Sequence, residues 1–421
     1  MPLQKAGRRP ACSSDGLAGR RVAIYAGMFI RDYDGAMRTL FELIDSLRRQ
    51  GAEIGVWTFS ARPDKPAGVS IFKVPAIPFS FYPEYKFALP SPEIFGQVAK
   101  FKPDVIHLTV PDAVGLALEG YARLKHIPVV VSYHTDFLSY LDERNIWYLS
   151  RPWRPILRRF YGEADSLLVP SQHSASTLAG LGVRGAVVWG RGFDPQEFSP
   201  VFRSREIRRR WGAGKRKVIL YSGQFAWFKD LNIFVEVYRL FRKEKGLCPL
   251  FVLIGRGPLE AKLRGWMPEA VFPGYLRGKD LSTAYANADL LLHPSTTETF
   301  GNAVQEAIAS GLPAVVSDRG GCQEIVRKSG GGLVARAKNA GSFYRCCRRL
   351  LENEDLYRRV RAAGLKGIKG RDWDAVNGVV LQEYARLASR PPGSISSASR
   401  AASGQTREKR RLAPKRSKPS A

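Results

Sequence analysis

Residues 296–318 read TTETFGNAVQEAIASGLPAVVSD, a pattern typical of a loop, a helix and a short apolar strand. The helix is predicted to begin at Gly301 or Asn302. Gly311 suits the position just after the last helical turn, and Pro313 prevents the helix from continuing. The strand that follows is one of a series along the chain, and that series decides the fold class.

The series begins with a strand, a helix and a second strand. RVAIYAG (21–27) is a short apolar run rich in β-forming residues. After a polar loop, Leu40, Ile44 and Leu47 fall on one helical face, and Gly51 closes that helix. The apolar segment EIGVWTF follows directly. This order predicts a parallel, doubly wound α/β sheet.

The alternation restarts after Pro200, which indicates two Rossmann-like domains. Further predicted strands are KPDVIHLTV, HIPVVVSYHTD and ADSLLVPS before that point, and RKVILYSGQ, PLFVLIGRGP, DLLLHPS and LPAVVSD after it. A helical run is also predicted from Lys229 to about Lys243. The predicted organisation is a flexible N-terminus over 1–20, domains over 21–195 and 196–372, a helix over 373–389 that crosses back to the first domain, and a basic disordered tail over 390–421.

The net charge of +28 is unusual for a globular composition. The tail contributes +8 of it, from nine basic residues and one acid, so the body is basic as well. Such a body suits nucleic acid, an anionic membrane or phosphorylated substrates, although a merely solvated basic surface stays open.

The two carboxylates of the opening stretch lie on either side of a helix start. Backbone N–H groups at Phe300, Gly301 and Asn302 would cradle phosphate there. Glu298 before them and Glu306 after them could each accept hydrogen bonds from hydroxyl groups. Hydroxyl-bearing groups on both sides of a diphosphate describe a nucleotide sugar. An acidic cap followed by a solvated helix glutamate is the simpler alternative.

The motifs around this stretch resemble those of glycosyltransferase family 4, which has the GT-B fold. The matching pieces, over roughly residues 21–385, include ETFGNAVQEAIASGLPAVV, VVSYHTDFLSY, WGRGFDPQEFSP, SGQFAWFKDLN and GGCQEIV. The resemblance implies two Rossmann-like domains facing a cleft, the first binding the acceptor and the second the nucleotide sugar. It implies retaining hexosyl transfer from a UDP- or GDP-sugar, forming an α-glycosidic bond. The nearest groups are sulfoquinovosyltransferases and GDP-mannose-dependent lipid mannosyltransferases.

The resemblance also assigns roles to individual residues. His134 and Glu298 would be catalytic. Where the family has an arginine at the phosphate site, this chain has Gln224. Either a nearby arginine such as Arg191 or Arg256 supplies that charge, or the donor binds less tightly. The implied donor-binding residues are Gly35, Gln224, Lys229, Gly255, Tyr275, Leu276, Phe300, Gly301, Asn302 and Glu306.

Neither a cofactor nor a metal is expected. There is no Asp-x-Asp motif at a strand end near these donor-site residues, and Lys229 with the helix N-terminus would balance the phosphate charge. The five cysteines contain no CxxC pair, so neither a zinc site nor a disulfide framework is indicated.

Aromatic and basic residues interleave over 144–161, RNIWYLSRPWRPILRRFY. This composition suits the headgroup layer of an anionic membrane. It also suits nucleic acid, or a solvated basic helix with its aromatic side in the core. Because enzymes of this resemblance often glycosylate lipids, we favour the membrane, with 74–90 as a second candidate surface. The candidate contact residues are Trp147, Trp153, Arg154, Arg158 and Arg159.

The favoured function is therefore hexosyl transfer to a membrane lipid or lipid-linked acceptor. No apolar run approaches the roughly 18 residues that span a bilayer, and the first residues lack the apolar region of a secretory signal. The expected location is cytoplasmic, peripheral to the inner face of the membrane. The alternatives are a soluble sugar or polysaccharide acceptor, a basic nucleic-acid-binding module, and a GT-B protein inactivated by Gln224.

Overall fold

The computed structural model describes residues 14–31, 33–79, 82–134, 136, 151–244 and 246–389. Trp147, the basic tail over 390–421 and most of the segment over 1–20 lie outside them. The predicted domain limits at residues 195 and 372 stay predictions. The chain divides into two compact units, the first comprising Met1–Ser132, Ile156–Leu168 and Asn377–Ala421, and the second comprising Tyr133–Pro155 and Val169–Val376.

A parallel sheet forms the centre of the first unit. A 3-10 turn, Ser14–Leu17, precedes it. The elements up to residue 169 are β1 (Arg21–Gly27), α1 (Gly35–Arg49), β2 (Glu53–Thr58), β3 (Val69–Lys73), β4 (Ala76–Phe79), β5 (Tyr82–Ala88), α2 (Pro92–Phe101), β6 (Val105–Leu108), α3 (Ala113–Leu124), β7 (Val129–Ser132), α4 (Trp153–Gly162) and β8 (Ser166–Val169). The strands lie in the order β3–β2–β1–β6–β7–β8, all parallel, and β4 and β5 form an antiparallel hairpin.

The sequence signals for α1 are confirmed. The Asp34 carboxylate accepts a hydrogen bond of 2.8 Å from the backbone N–H of Met37 and so caps the helix. The predicted apolar face, with Leu40 and Ile44, is fully buried. The helix ends before Gly51, whose φ of +77° is readily adopted by glycine alone.

A buried histidine joins the last helix of the chain, α14 (Trp373–Ala388), to the sheet of the first unit. The Nδ1 atom of His107 lies 2.6 Å from the Tyr384 hydroxyl, and its Nε2 atom lies 2.8 Å from Oγ of Ser132. The amide of Asn377 donates to Oγ of Ser46 at 2.9 Å. Burial lowers the pKa of His107 to about 3. The imidazole is therefore neutral in the folded protein at any ordinary pH.

This histidine predicts a specific acid sensitivity. An unfolded histidine takes up a proton below about pH 6.5, whereas folded His107 does so only near its lowered pKa. Its contribution to stability is thus complete above pH 6.5 and is lost as the pH falls, by up to about 1.4 kcal/mol per unit. In melting curves from pH 7.5 to 5, the wild type should lose more stability than His107→Gln, so their difference in melting temperature narrows. A difference that stays constant with pH would contradict this assignment.

The second unit contains a second parallel sheet. Its strands lie in the order β12 (Val271–Gly274), β11 (Leu250–Ile254), β10 (Val218–Ser222), β13 (Leu290–His293), β14 (Ala314–Ser317) and β15 (Gly332–Ala335). Two 3-10 turns, Pro200–Phe202 and Trp227–Lys229, accompany them. The elements from residue 170 to α14 are α5 (Gln172–Gly180), β9 (Val187–Val188), α6 (Arg205–Arg210), β10 (Val218–Ser222), α7 (Leu231–Lys243), β11 (Leu250–Ile254), α8 (Glu260–Trp266), β12 (Val271–Gly274), α9 (Gly278–Asn287), β13 (Leu290–His293), α10 (Asn302–Ala309), β14 (Ala314–Ser317), α11 (Cys322–Ser329), β15 (Gly332–Ala335), α12 (Ala340–Glu352) and α13 (Glu354–Gly367).

Apolar side chains cover both faces of this sheet. Val218 and Leu220 of β10 belong to one buried cluster, whereas Ile219 and Tyr221 belong to the other. The strand order reverses between β10 and β13, because β11 and β12 lie on one side and β14 and β15 on the other. Such a reversal opens a crevice at the carboxyl ends of the two strands. The loops that follow β10 and β13 therefore define the place for a ligand.

Candidate active site

An ion pair joins the loops that follow β10 and β13. The ammonium of Lys229 lies 2.6 Å from Oε1 of Glu298. Nε2 of His293 lies 3.3 Å from the same oxygen. Burial alone would raise the pKa of the Glu298 carboxyl, but Lys229 and then His293 hold it well below its usual range. Glu298 is therefore an ionised carboxylate at any ordinary pH.

The position of Lys229 is fixed by its neighbours. Sequence periodicity predicts that the helix begins at Lys229, but this residue lies in a 3-10 turn and α7 begins at Leu231. Asp230 adopts a left-handed conformation, with φ of +51°. Its Oδ2 atom accepts hydrogen bonds from the backbone N–H and the hydroxyl of Thr296, at 2.8 and 2.7 Å. These bonds hold the turn against the loop that carries Glu298, at the expense of helix geometry.

The chain segments around the start of α10 are packed too closely for side chains at two glycines. Gly301 has φ of +109°, and a Cβ atom there would lie 2.4 Å from Sγ of Cys322. A Cβ atom on Gly321 would lie 2.4 Å from the carbonyl oxygen of Thr299. Among the described residues, no side chain caps this helix start. Its N–H groups, from Asn302 onward, suit a phosphate oxygen.

Glu306 lies in the second turn of α10 and is buried. The Tyr285 hydroxyl is 3.4 Å from its Oε2 atom. The two glutamates of the opening stretch thus differ in their surroundings, since one pairs with a lysine and a histidine and the other faces a phenol. A carboxylate at this position can accept hydrogen bonds from the two hydroxyls of a diol such as ribose.

His134 lies in the second unit, next to the Glu298 loop. Its carbonyl oxygen accepts a hydrogen bond of 3.1 Å from the Thr299 hydroxyl. Its Nδ1 atom lies 3.2 Å from Nη2 of Arg191. The same guanidinium donates to the carbonyl oxygens of Trp189 and Gly190, at 3.1 and 3.3 Å. Arg191, a candidate phosphate ligand from the sequence, is thus buried against the candidate catalytic histidine.

A pocket of about 500 Å³ opens beside Glu298. Its wall combines carboxylates, hydroxyls and cations, which is a suitable lining for a sugar. The lining residues are Asp136, His173, Ser174, Thr177, Thr296, Thr297, Glu298, Thr299, Arg319 and Lys338.

The glycine turn after β11 leaves no room for side chains. A Cβ atom on Gly255 would lie 1.9 Å from the carbonyl oxygen of Gly223, and one on Gly257 would lie 2.5 Å from that of Phe225. The φ angles of +141° and +155° also require glycine. The family resemblance implies that Gly255 binds the donor, but close packing of the backbone also accounts for a glycine here.

Other candidates are more dispersed. Gln224 is exposed, and its carbonyl oxygen accepts a hydrogen bond from the Tyr221 hydroxyl at 3.1 Å. Arg256 is largely exposed and lies 3.7 Å from Glu260. Tyr275 is also exposed, whereas Leu276 packs against the core of the second unit.

The remaining candidates lie outside this cluster. Gly35 is the first residue of α1, in the first unit. Trp153, Arg154, Arg158 and Arg159 lie on α4 with exposed side chains. Trp147 lies in the part of the chain that the structure does not describe.

Three residues of the site were not identified from the sequence. They are His293, Asp230 and Tyr285, which contact Glu298, Thr296 and Glu306 respectively. A histidine near the carboxyl end of a predicted strand, DLLLHPS, was a usable signal for His293. Nothing local to Asp230 or Tyr285 indicates their partners.

Within the described ranges, no group of histidine, cysteine, aspartate and glutamate side chains could hold a metal ion. Cys248, Cys322, Cys346 and Cys347 are free thiols. None of the helices in the described part of the chain has the length and apolar character that a membrane crossing requires.

Two units, each built on a parallel sheet with helices between its strands, place this chain in the α/β class. Family comparison makes this specific. The Glycosyltransferase Family 4 domain matches residues 33–197, and the Glycosyl transferases group 1 domain matches residues 203–367. The chain belongs to glycosyltransferase family 4, with the GT-B fold, and is a glycosyltransferase.

Individual relatives confirm the two groups that the sequence motifs indicated. A GDP-mannose-dependent alpha-mannosyltransferase of Mycolicibacterium smegmatis is 32% identical over 75% of this chain and 84% of its own. Sulfoquinovosyl transferase SQD2 of Arabidopsis thaliana is 30% identical over 88% of this chain and 74% of its own. Alpha-monoglucosyldiacylglycerol synthase of Streptococcus pneumoniae is 23% identical over 70% of each chain. A sucrose-phosphate synthase structure from Thermosynechococcus elongatus shares the fold, with a TM-score of 0.71 at 17% identity over 87% of this chain and 99% of its own.

Proposed function

We propose that this glycosyltransferase moves a hexose from a GDP- or UDP-sugar to a membrane lipid or lipid-linked acceptor, forming an α-glycosidic bond. The observation that carries the proposal is the Lys229–Glu298 ion pair beside the uncapped start of α10. A cation and free N–H groups suit a diphosphate, while the carboxylate suits a sugar hydroxyl. Two relatives, the GDP-mannose-dependent alpha-mannosyltransferase and the alpha-monoglucosyldiacylglycerol synthase, support the donor and acceptor classes.

The two oxygens of Glu298 have different surroundings. Both Lys229 and His293 contact Oε1. The hydrogen bonds and ion pairs that other described residues make with the Glu298 side chain all involve Oε1, and none involves Oε2. We propose that Oε2 accepts a hydrogen bond from a hexose hydroxyl, which orients the anomeric carbon toward the acceptor.

In the proposed reaction the bond from the anomeric carbon to the diphosphate oxygen breaks on the same face on which the acceptor oxygen bonds. The acceptor proton passes to a phosphate oxygen of the leaving group. Lys229 and the N–H groups of α10 balance the charge that develops on that group. This arrangement would work without a metal ion, because the cation and the helix start take that role.

Two exposed surfaces of the chain support a membrane acceptor. On α4, Leu157 and Phe160 are buried, whereas Trp153 is 48% exposed on a helix rich in exposed arginines. In the β4–β5 hairpin, the cross-strand partners Ile77 and Phe87 are both exposed. Apolar tips with neighbouring cations suit the headgroup layer of an anionic bilayer. We therefore place the protein at the inner face of the membrane, in the cytoplasm.

A transfer assay tests the acceptor class directly. The protein is incubated with labelled GDP-mannose or UDP-glucose and with anionic vesicles made of total membrane lipid, or with soluble glycans. The expected result is label in the organic phase for one donor, abolished by Glu298→Gln. Label found only in water-soluble oligosaccharide would favour the polysaccharide alternative. Absence of transfer, together with tight RNA or DNA binding at physiological salt, would favour the nucleic-acid alternative.

A further inference from the structure

We propose that Arg191 is a positioning residue that fixes the tautomer of His134, so that His134 presents a proton on Nε2. The consequence for catalysis rests on the proposed function, but the tautomer itself does not. Neither the family resemblance nor the comparisons assign this role to Arg191.

The geometry around Arg191 is rigid. The residue is 4% exposed, and its Nη1 atom donates to the carbonyl oxygens of Trp189 and Gly190. Its guanidinium also lies over the Trp189 ring, 5.1 Å from the ring centre. The Gln305 amide donates to the Arg191 carbonyl oxygen at 2.8 Å and so ties this segment to α10. These contacts hold Nη2 at 3.2 Å from Nδ1 of His134.

The chemistry of the two groups then determines which nitrogen of His134 carries the proton. A guanidinium has donors only and keeps its charge at any ordinary pH. The Nδ1 atom of His134 must therefore be the acceptor. A neutral imidazole carries its single proton on the other nitrogen, and an adjacent cation disfavours a second proton.

This assignment restricts what His134 can do. With its proton on Nε2, the side chain donates a hydrogen bond to an oxygen of the hexose or of the acceptor. It does not act as a general base through that nitrogen. The proton of the acceptor hydroxyl then has to leave by another route, consistent with transfer to the leaving phosphate. Arg191 would thus act on the reaction through His134, without contacting the substrate.

Nitrogen NMR of the histidine rings tests the tautomer. The protein has five histidines, so long-range 15N–1H spectra of histidine-labelled protein are tractable, and His134→Gln identifies the signal. The expected result for the wild type at pH 7.5, without any ligand, is a protonated Nε2 and an unprotonated Nδ1. A protonated Nδ1 at His134, or an imidazolium, would overturn the proposal whatever the enzyme's substrate.

Variants test the consequence for activity. Arg191→Met should give a mixture of His134 tautomers and lower kcat about 10-fold or more, with KM for the donor changed less than 3-fold. Arg191→Lys keeps a donor and a charge, and should retain more of the Nε2–H form and of the rate. If Arg191 instead supports phosphate, Arg191→Met will raise donor KM while the His134 spectrum stays unchanged, which contradicts the proposal.

A matched control separates this effect from simple destabilisation. Arg361 also donates to a backbone carbonyl, that of Gly311 at 3.0 Å, and contacts none of the site residues described above. Arg361→Met should lower the melting temperature but leave both kcat and the His134 spectrum unchanged. A similar loss of kcat in both variants would mean that Arg191 acts only on stability.

Discussion

Replacing Lys229 with methionine should lower the rate of transfer about 1,000-fold. Removing one group that stabilises developing negative charge costs about 100- to 1,000-fold, and Lys229 is a partly buried cation at the strand-order reversal. The methionine side chain also leaves Glu298 with a weaker set of partners. That change should destabilise the fold by about 2 kcal/mol and lower the melting temperature by about 4–8 °C. Steady-state kinetics and melting curves measure the two effects separately.

A double variant distinguishes catalysis from stability. Lys229→Met with Glu298→Gln removes both charges, so most of the lost melting temperature should return while the rate stays low. Lys217→Met is the matched control, because Lys217 packs over the Tyr357 ring away from the site. Transfer within 3-fold of the wild type in Lys229→Met would show that Lys229 does not assist the leaving group. Recovery of activity in the double variant would show that only stability had been lost.

The parts of the fold that were predicted correctly depend on local chemistry. The end of α10 follows from Gly311, with φ of +75°, and the burial of α1 follows from the spacing of its leucines. In both cases the residues responsible lie within one or two helical turns of the helix end or the buried face that they determine. Hydrophobic periodicity and helix capping depend only on residues this close along the chain, so a single sequence is enough to predict them.

The contacts that organise the site act over a much longer range. Sequence periodicity predicts that α7 begins at Lys229. The helix instead begins after Asp230, because the Asp230 carboxylate accepts hydrogen bonds from Thr296 in another loop. The His293–Glu298 contact also depends on how the loop after β13 folds back on its own strand. Helical propensity cannot include partners that are distant along the chain, so it placed the boundary two residues early. The motif resemblance supplied Lys229 and Glu298 as candidates, but not the side chains that hold them.

The role of Arg191 illustrates the same limit. From the sequence it was a charge available to replace the missing arginine at Gln224. The structure directs that charge toward His134 and two backbone carbonyls instead. A formal charge can be counted from a sequence, but the group it faces depends on the folded backbone. Under the proposed function, Lys229 and the start of α10 would then be the main groups that balance the diphosphate charge, with Gln224 in place of the usual arginine.

Replacing Glu306 with alanine should weaken nucleotide binding about 100-fold while leaving the fold intact. Glu306 is buried. We propose that both ribose hydroxyls of the donor nucleotide donate hydrogen bonds to its carboxylate, each contributing about 1.5 kcal/mol or more. Melting curves with GDP, UDP and ADP measure this. For the preferred nucleotide at about 100 times its Kd, the wild type gains about 2.7 kcal/mol. At the same concentration the variant should gain only about 0.4 kcal/mol.

Deoxynucleotides show whether the ribose is the group that Glu306 recognises. In the wild type, the 2′-deoxy and 3′-deoxy forms of the preferred nucleotide should bind more weakly than the parent. In Glu306→Ala all three should bind alike, because the partner of both hydroxyls is gone. Tyr285→Phe, which removes the 3.4 Å neighbour of Oε2, should change affinity only a few-fold. If Glu306→Ala keeps its preference for the ribonucleotide, the ribose contacts another residue, and the diphosphate must lie differently along α10.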